Sequence, residues 1–252
     1  MKDHVVAYYE VMMSDRFIAE HHGNSGYFNV GFWSPGTRTG SDACVNLMTE
    51  LMAQVSQERG ARVLDVACGM GATTEFLARL YGAENVTGIN IASTQLSKAR
   101  SRVPGATFME MDATDLEFED SSFDLVVCVE AAFHFDSREN FIREAYRVLR
   151  PGGELVLADA LFVNAHKVHP AANVLAGPDD YARLWRKCGF SQIKLREVTD
   201  MTWIAYFDDL LSLANSKLDS GELSETYLSW LSQACDGWRN GISDYVFCSG
   251  RR

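Results

Sequence analysis

Apolar residues recur along this chain with two different periods, and the change from one to the other divides it. In residues 3–17, Val5, Tyr8, Tyr9, Met12, Met13 and Phe17 fall at helical spacing, which predicts an amphipathic helix. A second helix is expected from Ser41, a good N-cap, with Val45, Leu47, Met48, Leu51, Met52 and Val55 on its inner face. Between them, residues 21–40 are rich in Gly, Asn, Ser and Pro and read as a loop. From 61 to 160 short apolar runs alternate with helical stretches. Strands are predicted over 61–66, 85–90, 106–111, 123–129 and 153–161, and helices over 72–81, 94–102 and 138–149. Strands apolar on both faces and separated by helices imply a parallel sheet covered on both sides. Beyond 160 the pattern gives a loop, a helix at 178–188, a strand at 190–198, helices at 203–217 and 222–238, and a last strand near 242–249.

Composition narrows the class. With 252 residues and 47% hydrophobic content, the chain suits one large domain. Its 23 basic and 34 acidic residues give a net charge of −11, which repels a phosphate backbone and argues against nucleic acid as a partner. The six cysteines are scattered without a C-x-x-C pair, and His, Asp and Glu do not cluster at ligand spacing, so neither disulfides nor a metal are expected. The start lacks a signal-peptide pattern, and no apolar run reaches membrane-spanning length. A soluble, cytoplasmic protein is the expectation. A C-terminal strand and an exposed N-terminal helix would each allow a homodimer.

Candidate chemistry begins at residues 61–71, Ala-Arg-Val-Leu-Asp-Val-Ala-Cys-Gly-Met-Gly, where a strand runs into Gly69 and Gly71 and a helix follows. Such glycines let backbone turn tightly and approach a ligand at the carboxyl end of a parallel strand. Dinucleotide enzymes share that feature. Here Thr74 stands where their third glycine would be, and Asp65 lies inside the strand. A carboxylate under this turn suits a cationic ligand; it would equally pin the loop by hydrogen bonds.

Val63–Gly71, taken with Val86-Thr87-Gly88-Ile89-Asn90-Ile91, Glu110–Leu116, Phe123–Val127 and Val148-Leu149-Arg150-Pro151-Gly152-Gly153, resembles the ordered motifs of class I S-adenosylmethionine-dependent methyltransferases, in the small-molecule branch that acts on natural products and lipids. The likeness covers roughly residues 61–160 and continues more loosely to the C-terminus. It implies a Rossmann-like, doubly wound α/β fold with a seven-stranded, mostly parallel sheet and an antiparallel last strand. A helical cap over 1–58, a cofactor core over 59–161 and a C-terminal part over 162–252 with a lid at about 199–240 would make one methyltransferase domain.

By resemblance S-adenosylmethionine would be held by Asp65, Ala67, Gly69, Gly71, Asn90, Ile91, Gln95, Asp112, Ala113 and Glu130, with Trp33 in the closing cap. Asn90 stands where the family usually has an acid for the ribose, and Ala67 replaces its first glycine. Asp112 would receive the adenine amino group; its alternative is a loop cap. The resemblance also places a catalytic His134 after the fourth strand, oriented by Asp159 at the end of the fifth. As alternatives, His134 is a packing residue, and His21 and His22 serve loop hydrogen bonding. Tyr8, Met12, Tyr27, Phe133, Trp203 and Phe207 are the candidate acceptor contacts.

The reading is methyl transfer to an O, N or C atom of a small, apolar or aromatic secondary-metabolite acceptor. Lipid, sterol or quinone methylation, and cofactor binding without transfer, remain open here. An NAD-dependent oxidoreductase is opposed by Asp65, Thr74 and Asn90.

Overall fold

The structure, a computed structural model, describes residues 2–166 and 168–252. Its centre is a seven-stranded sheet: β1 (Val63–Val66), β2 (Val86–Asn90), β3 (Thr107–Glu110), β4 (Phe123–Val129), β5 (Leu149–Phe162), β6 (Ser191–Glu197) and β7 (Ile242–Arg251). They lie in the order β3-β2-β1-β4-β5-β7-β6. All neighbours are parallel except β7, which runs antiparallel to both β5 and β6. This is the doubly wound sheet with an antiparallel last strand that the family resemblance implied. Both sides of β7 are paired, so the C-terminal strand offers no free edge to a second copy.

The helices are α1 (Lys2–Ser14), α2 (Arg16–His21), α3 (Gly40–Met52), α4 (Ala72–Tyr81), α5 (Ser93–Arg102), α6 (Arg138–Val148), α7 (Pro178–Lys187), α8 (Ala205–Asp219) and α9 (Glu225–Arg239). Their spans match the periodicity closely, with three instructive differences. The expected first helix is broken at Asp15, whose carboxylate leaves the helical ladder to accept from the Ile18 amide at 3.0 Å. The cap of the second helix lies two residues earlier than expected, because the Thr39 hydroxyl rather than that of Ser41 accepts from the Asp42 amide. A π-helical turn at Asp200–Ile204 precedes α8, where a plain helix was expected.

Alternation along the strands sorts the core into two layers. Val63, Leu125, Val127, Val156 and Ala158 pack with α3, α4 and α8; Leu64, Val126, Cys128, Leu155 and Leu157 pack with α6 and α7. The edge strand β6 is largely exposed and carries Lys194, Arg196 and Glu197, charges that discourage edge pairing. Strand order reverses between β1 and β4, and the crevice at their carboxyl ends is where such a sheet binds ligands.

One buried ion pair ties this crevice to the layer beneath it. Arg138, at the start of α6, donates from Nε to Asp159 on β5 at 2.8 Å and from Nη2 to the Ala160 carbonyl at 2.5 Å. Tyr181 of α7 donates to the same Asp159 oxygen at 2.8 Å. Both ions are essentially inaccessible, at 1% and 0% side-chain exposure, so removing one strands the other in an apolar layer. Arg138→Ala is therefore expected to lower stability by about 3–5 kcal/mol, read as a reduced denaturation midpoint.

Candidate active site

The turn after β1 is built around an alanine in an unusual conformation. Ala67 has φ of 58° and Gly71 has φ of 82°. A side chain at Gly71 would meet Ala99 of α5 at 3.0 Å, so glycine is required there for close packing. Ala67 holds a left-handed geometry that glycine would adopt without strain, at a cost of about 1–2 kcal/mol. Beneath the turn, buried Asp65 accepts from the Thr74 hydroxyl at 2.6 Å. Burial pushes its carboxyl up to about 7, and the Thr74 bond offsets only part of that.

Two adjoining cavities open at the carboxyl ends of the strands. The larger, about 470 Å³, is lined by Ala67, Gly69, Asn90, Ile91, Gln95, Asp112, Ala113 and Glu130 among others. The smaller, about 240 Å³, is lined by Tyr8, Met12, Phe133, Trp203 and Phe207. Tyr9, Phe28, Asn29, Glu130 and His134 border both. Tyr27, expected at the acceptor, lines the larger cavity instead. Asp65 and Gly71 support the loop from behind without lining either space. Helix α1 lies across both, contributing Lys2, Val5 and Met13 to one, Tyr8 and Met12 to the other.

In the larger cavity the polar groups are partly engaged. Asn90 donates to Gln95 at 2.8 Å and accepts from the Ile91 amide at 2.9 Å. One Asp112 oxygen accepts from the Thr114 amide and hydroxyl, both at 2.9 Å, so the loop-cap role is real. The other oxygen is paired with the Lys2 ammonium. Burial alone would raise the Asp112 carboxyl, but Lys2 and Thr114 together hold it below its ordinary value.

His134 sits in the short helical turn Ala132–His134 after β4, buried between the cavities. Its Nδ1 lies 2.6 Å from the Val168 carbonyl oxygen. A carbonyl can only accept, so Nδ1 carries the proton and Nε2 keeps its lone pair. That lone pair faces the Tyr9 hydroxyl at 3.0 Å. Burial pushes the imidazole down to about 4; the Val168 bond opposes this and the Arg138 charge adds to it.

The expected His134–Asp159 partnership is not made. Asp159 belongs to the alternate set on β5 that faces α6 and α7, where Arg138 and Tyr181 consume it; a main-chain carbonyl orients the histidine instead. Trp33 does not reach the cofactor cavity either. Its indole donates to the Val30 carbonyl at 2.9 Å and its amide to the Met201 carbonyl at 2.6 Å, which pins the cap to the turn before α8. Glu130 contributes more than backbone. Its carboxylate accepts from the Tyr245 hydroxyl at 2.6 Å and the Val30 amide at 2.9 Å, and burial raises it to about 7. His21 bonds Asp209 at 2.8 Å and His22 lies against the Ile18 and Asn29 carbonyls. Asn173 went unnoticed in the sequence, and Tyr9 was read there only as one apolar position of the first helix: nothing marks it among neighbouring aromatics, and its contact to His134 spans 125 positions.

A glycine-turned loop at the switch point of such a sheet, with an adjoining aromatic cavity, fits a nucleoside-bearing ligand beside a second, apolar one. The chain belongs to the class I S-adenosylmethionine-dependent methyltransferases, and S-adenosylmethionine is its cofactor. Residues 64–157 match the family described as "Methyltransferase domain". O-methyltransferase cnsE of Penicillium expansum is 35% identical over 195 residues, which cover 70% of this chain and 68% of that protein. O-methyltransferase rstn1 of Aspergillus nomiae is 30% identical over 200 residues, covering 72% and 88%. Among solved structures, geranyl diphosphate C-methyltransferase from Streptomyces coelicolor, in complex with S-adenosyl-L-homocysteine, superposes with a TM-score of 0.74 at 14% identity, covering 100% of this chain and 97% of that one.

Two measurements follow from this geometry. Asp112→Ala is expected to weaken S-adenosylmethionine binding by about tenfold or more, as loss of a hydrogen bond to a charged group does; titration calorimetry showing unchanged affinity would remove Asp112 from the site. A buried acid with a raised pKa adds stability in full below its ordinary value of 3.8, and that stability disappears as pH rises to about 7. Relative to wild type, ligand-free Asp65→Asn should therefore gain stability progressively between those values, and denaturation curves of equal separation at every pH would contradict it.

Proposed function

We propose that this methyltransferase is an O-methyltransferase of a small, apolar or aromatic hydroxyl compound, with His134 as general base. The observation that carries the reading is the His134 Nε2 lone pair, held between a cofactor-sized cavity and an aromatic one. The O-methyltransferases among the relatives support the choice of oxygen.

The larger cavity's residues fit the cofactor: a backbone loop free to approach it, the Asn90 and Gln95 amides for hydroxyls, and a carboxylate at Asp112. Bound S-adenosylmethionine supplies an electrophilic methyl carbon and a thioether leaving group. The protein's share is to hold the acceptor oxygen in line, keep water out and take its proton. The Tyr9 hydroxyl marks where an acceptor hydroxyl would donate to His134 Nε2. Tyr8, Met12, Phe133, Trp203 and Phe207 would enclose the acceptor's body. The chain then works as one domain, with α1–α3 as cap and the helices of 199–240 as lid. The net charge of −11 disfavours nucleic acid as acceptor, and no helix among the described residues is long and apolar enough to cross a membrane. A cytoplasmic location completes the reading.

A second reading is an isoprenoid-tailed phenol or quinol. Trp230 lines the aromatic cavity yet is 49% exposed, so an apolar tail would meet apolar surface as it leaves.

The test is a mass-spectrometric screen with S-adenosylmethionine against phenols, indoles, amines, short-chain hydroquinones and prenylated hydroquinones. A product carrying one added methyl on oxygen supports the proposal; methyl on nitrogen or carbon overturns it. Turnover confined to prenylated acceptors selects the second reading. Cofactor binding with no product on any acceptor favours a protein that binds the sulfonium without transfer. His134→Ala should lower kcat by about 10²–10⁴-fold, and full turnover would dismiss the base. Because His134 is held down to about 4, kcat/KM should stay high through pH 6 and fall only towards that value.

A further inference from the structure

Outside the reacting groups, the buried polar side chain with the most bonds to the His134 turn is Asn173. It lies in the segment between β5 and α7, at 2% exposure. Its Nδ2 donates to the Phe135 carbonyl at 2.7 Å and the Phe133 carbonyl at 3.2 Å, with the Ala132 carbonyl at 3.4 Å. These carbonyls belong to residues before and after His134 in the turn. Its Oδ1 accepts from the Arg138 amide at 2.7 Å, and its own carbonyl accepts from the Arg138 guanidinium. Arg138 is in turn fixed to Asp159 and Ala160 of β5.

The same segment supplies the Val168 carbonyl that takes the His134 Nδ1 proton. Backbone and ring of His134 are thus held from one piece of chain. Beyond the turn's own bonds from the His134 and Phe135 amides to the Ala131 and Ala132 carbonyls, its backbone is tied to that piece by the Asn173 side-chain amide, and the ring by a carbonyl five residues earlier. A main-chain carbonyl can select a tautomer only while the distance between the two pieces is kept, and at 2.6 Å there is little slack. Asn173 keeps that distance, because it spans the two pieces.

We propose that Asn173 is a positioning residue for the transfer, setting the tautomer and aim of His134 by clamping the turn that carries it against the 168–173 segment. The proposal rests on the reading of His134 as the base. Without the Asn173 amide, the turn carbonyls lose their donor, the ring can slide off Val168, and the imidazole proton distributes over both nitrogens. A fraction of molecules then presents N–H, not a lone pair, to the acceptor.

The experiment uses the full chain labelled with [¹⁵N]imidazole histidine. His134 is identified among the six histidines by the resonances missing in His134→Ala. At pH 7 wild type should show His134 as the single Nδ1–H tautomer, and Asn173→Ala a mixture of both. With 2-naphthol, or the screened acceptor that turns over faster, Asn173→Ala should lower kcat by about 10–100-fold. The KM for S-adenosylmethionine should be unchanged, since Asn173 does not border the cofactor cavity. If Asn173→Ala fails to fold by thermal melt, Asn173→Ser, which keeps a small donor, takes its place with the same expectations at smaller size. An unchanged tautomer and unchanged kcat in the folded variant overturn the proposal while leaving His134 as base. A His134→Ala variant that keeps full turnover overturns the base itself, and with it this inference.

Discussion

The Arg138–Asp159 pair is the constraint on which the placement of the site depends. It sits where an apolar layer would otherwise be continuous, and its burial admits one arrangement of four elements: β5, the start of α6, α7 and the segment that follows β5. Hydrophobic packing alone leaves such elements free to slide by fractions of an ångström, because it is non-directional. A fully buried guanidinium does not, since each of its donors needs an acceptor in a fixed direction. The loop that carries His134 enters α6 at this arginine, so the accuracy of the site is inherited from the layer below it.

Against that rigid floor, the roof is lightly held. No residue of α1 is buried, yet the helix borders both cavities and meets the site through Lys2, Tyr9 and Met13. Aromatic contacts of Tyr8 to Trp238 and Tyr9 to Phe28 add to these, while Val11 on its outer side is 69% exposed. None of its side chains enters the sheet's core, so the helix covers the site without being part of the sheet. Rigid support below and a separate cover above suit a site that must admit two ligands and then exclude water.

Much of this was legible in the sequence because the signals were local. Alternating strands and helices, Gly69 and Gly71 closing β1, and Pro178 opening α7 are features of neighbouring residues, and the elements appear where the pattern puts them. That His134 lies at the mouth of the crevice was legible for the same reason, being a few residues beyond a strand end. The Asp159 partnership failed because proximity of strand ends does not say which face a residue takes. Its neighbours Ala158 and Ala160 belong to the α3–α8 layer, so period-two alternation sends Asp159 to the other side. Trp33 failed because an aromatic near a predicted mouth has no marker separating a ligand contact from a packing one. Val168 could not have been found at all: a carbonyl belongs to every residue type. Ala67 was legible as a departure, while its positive φ was not, since backbone torsion in a turn is set by what packs around it.

The position of β7 has a consequence for how the molecule is made. The strand lies between β5 and β6, although it follows both in the sequence, and among the described residues β6 pairs with no other strand. While the ribosome is still delivering residues 242–251, β1 to β5 can already assemble, each against an earlier neighbour. During that interval β6 and its connections to α8 have no sheet to join, and the β5 edge stands open. Tyr245, which donates to Glu130 beside both cavities, arrives in the same stretch. Strands β1 to β5 can therefore pair before Tyr245 stands beside Glu130, and the ten residues of β7 complete both the sheet and that contact.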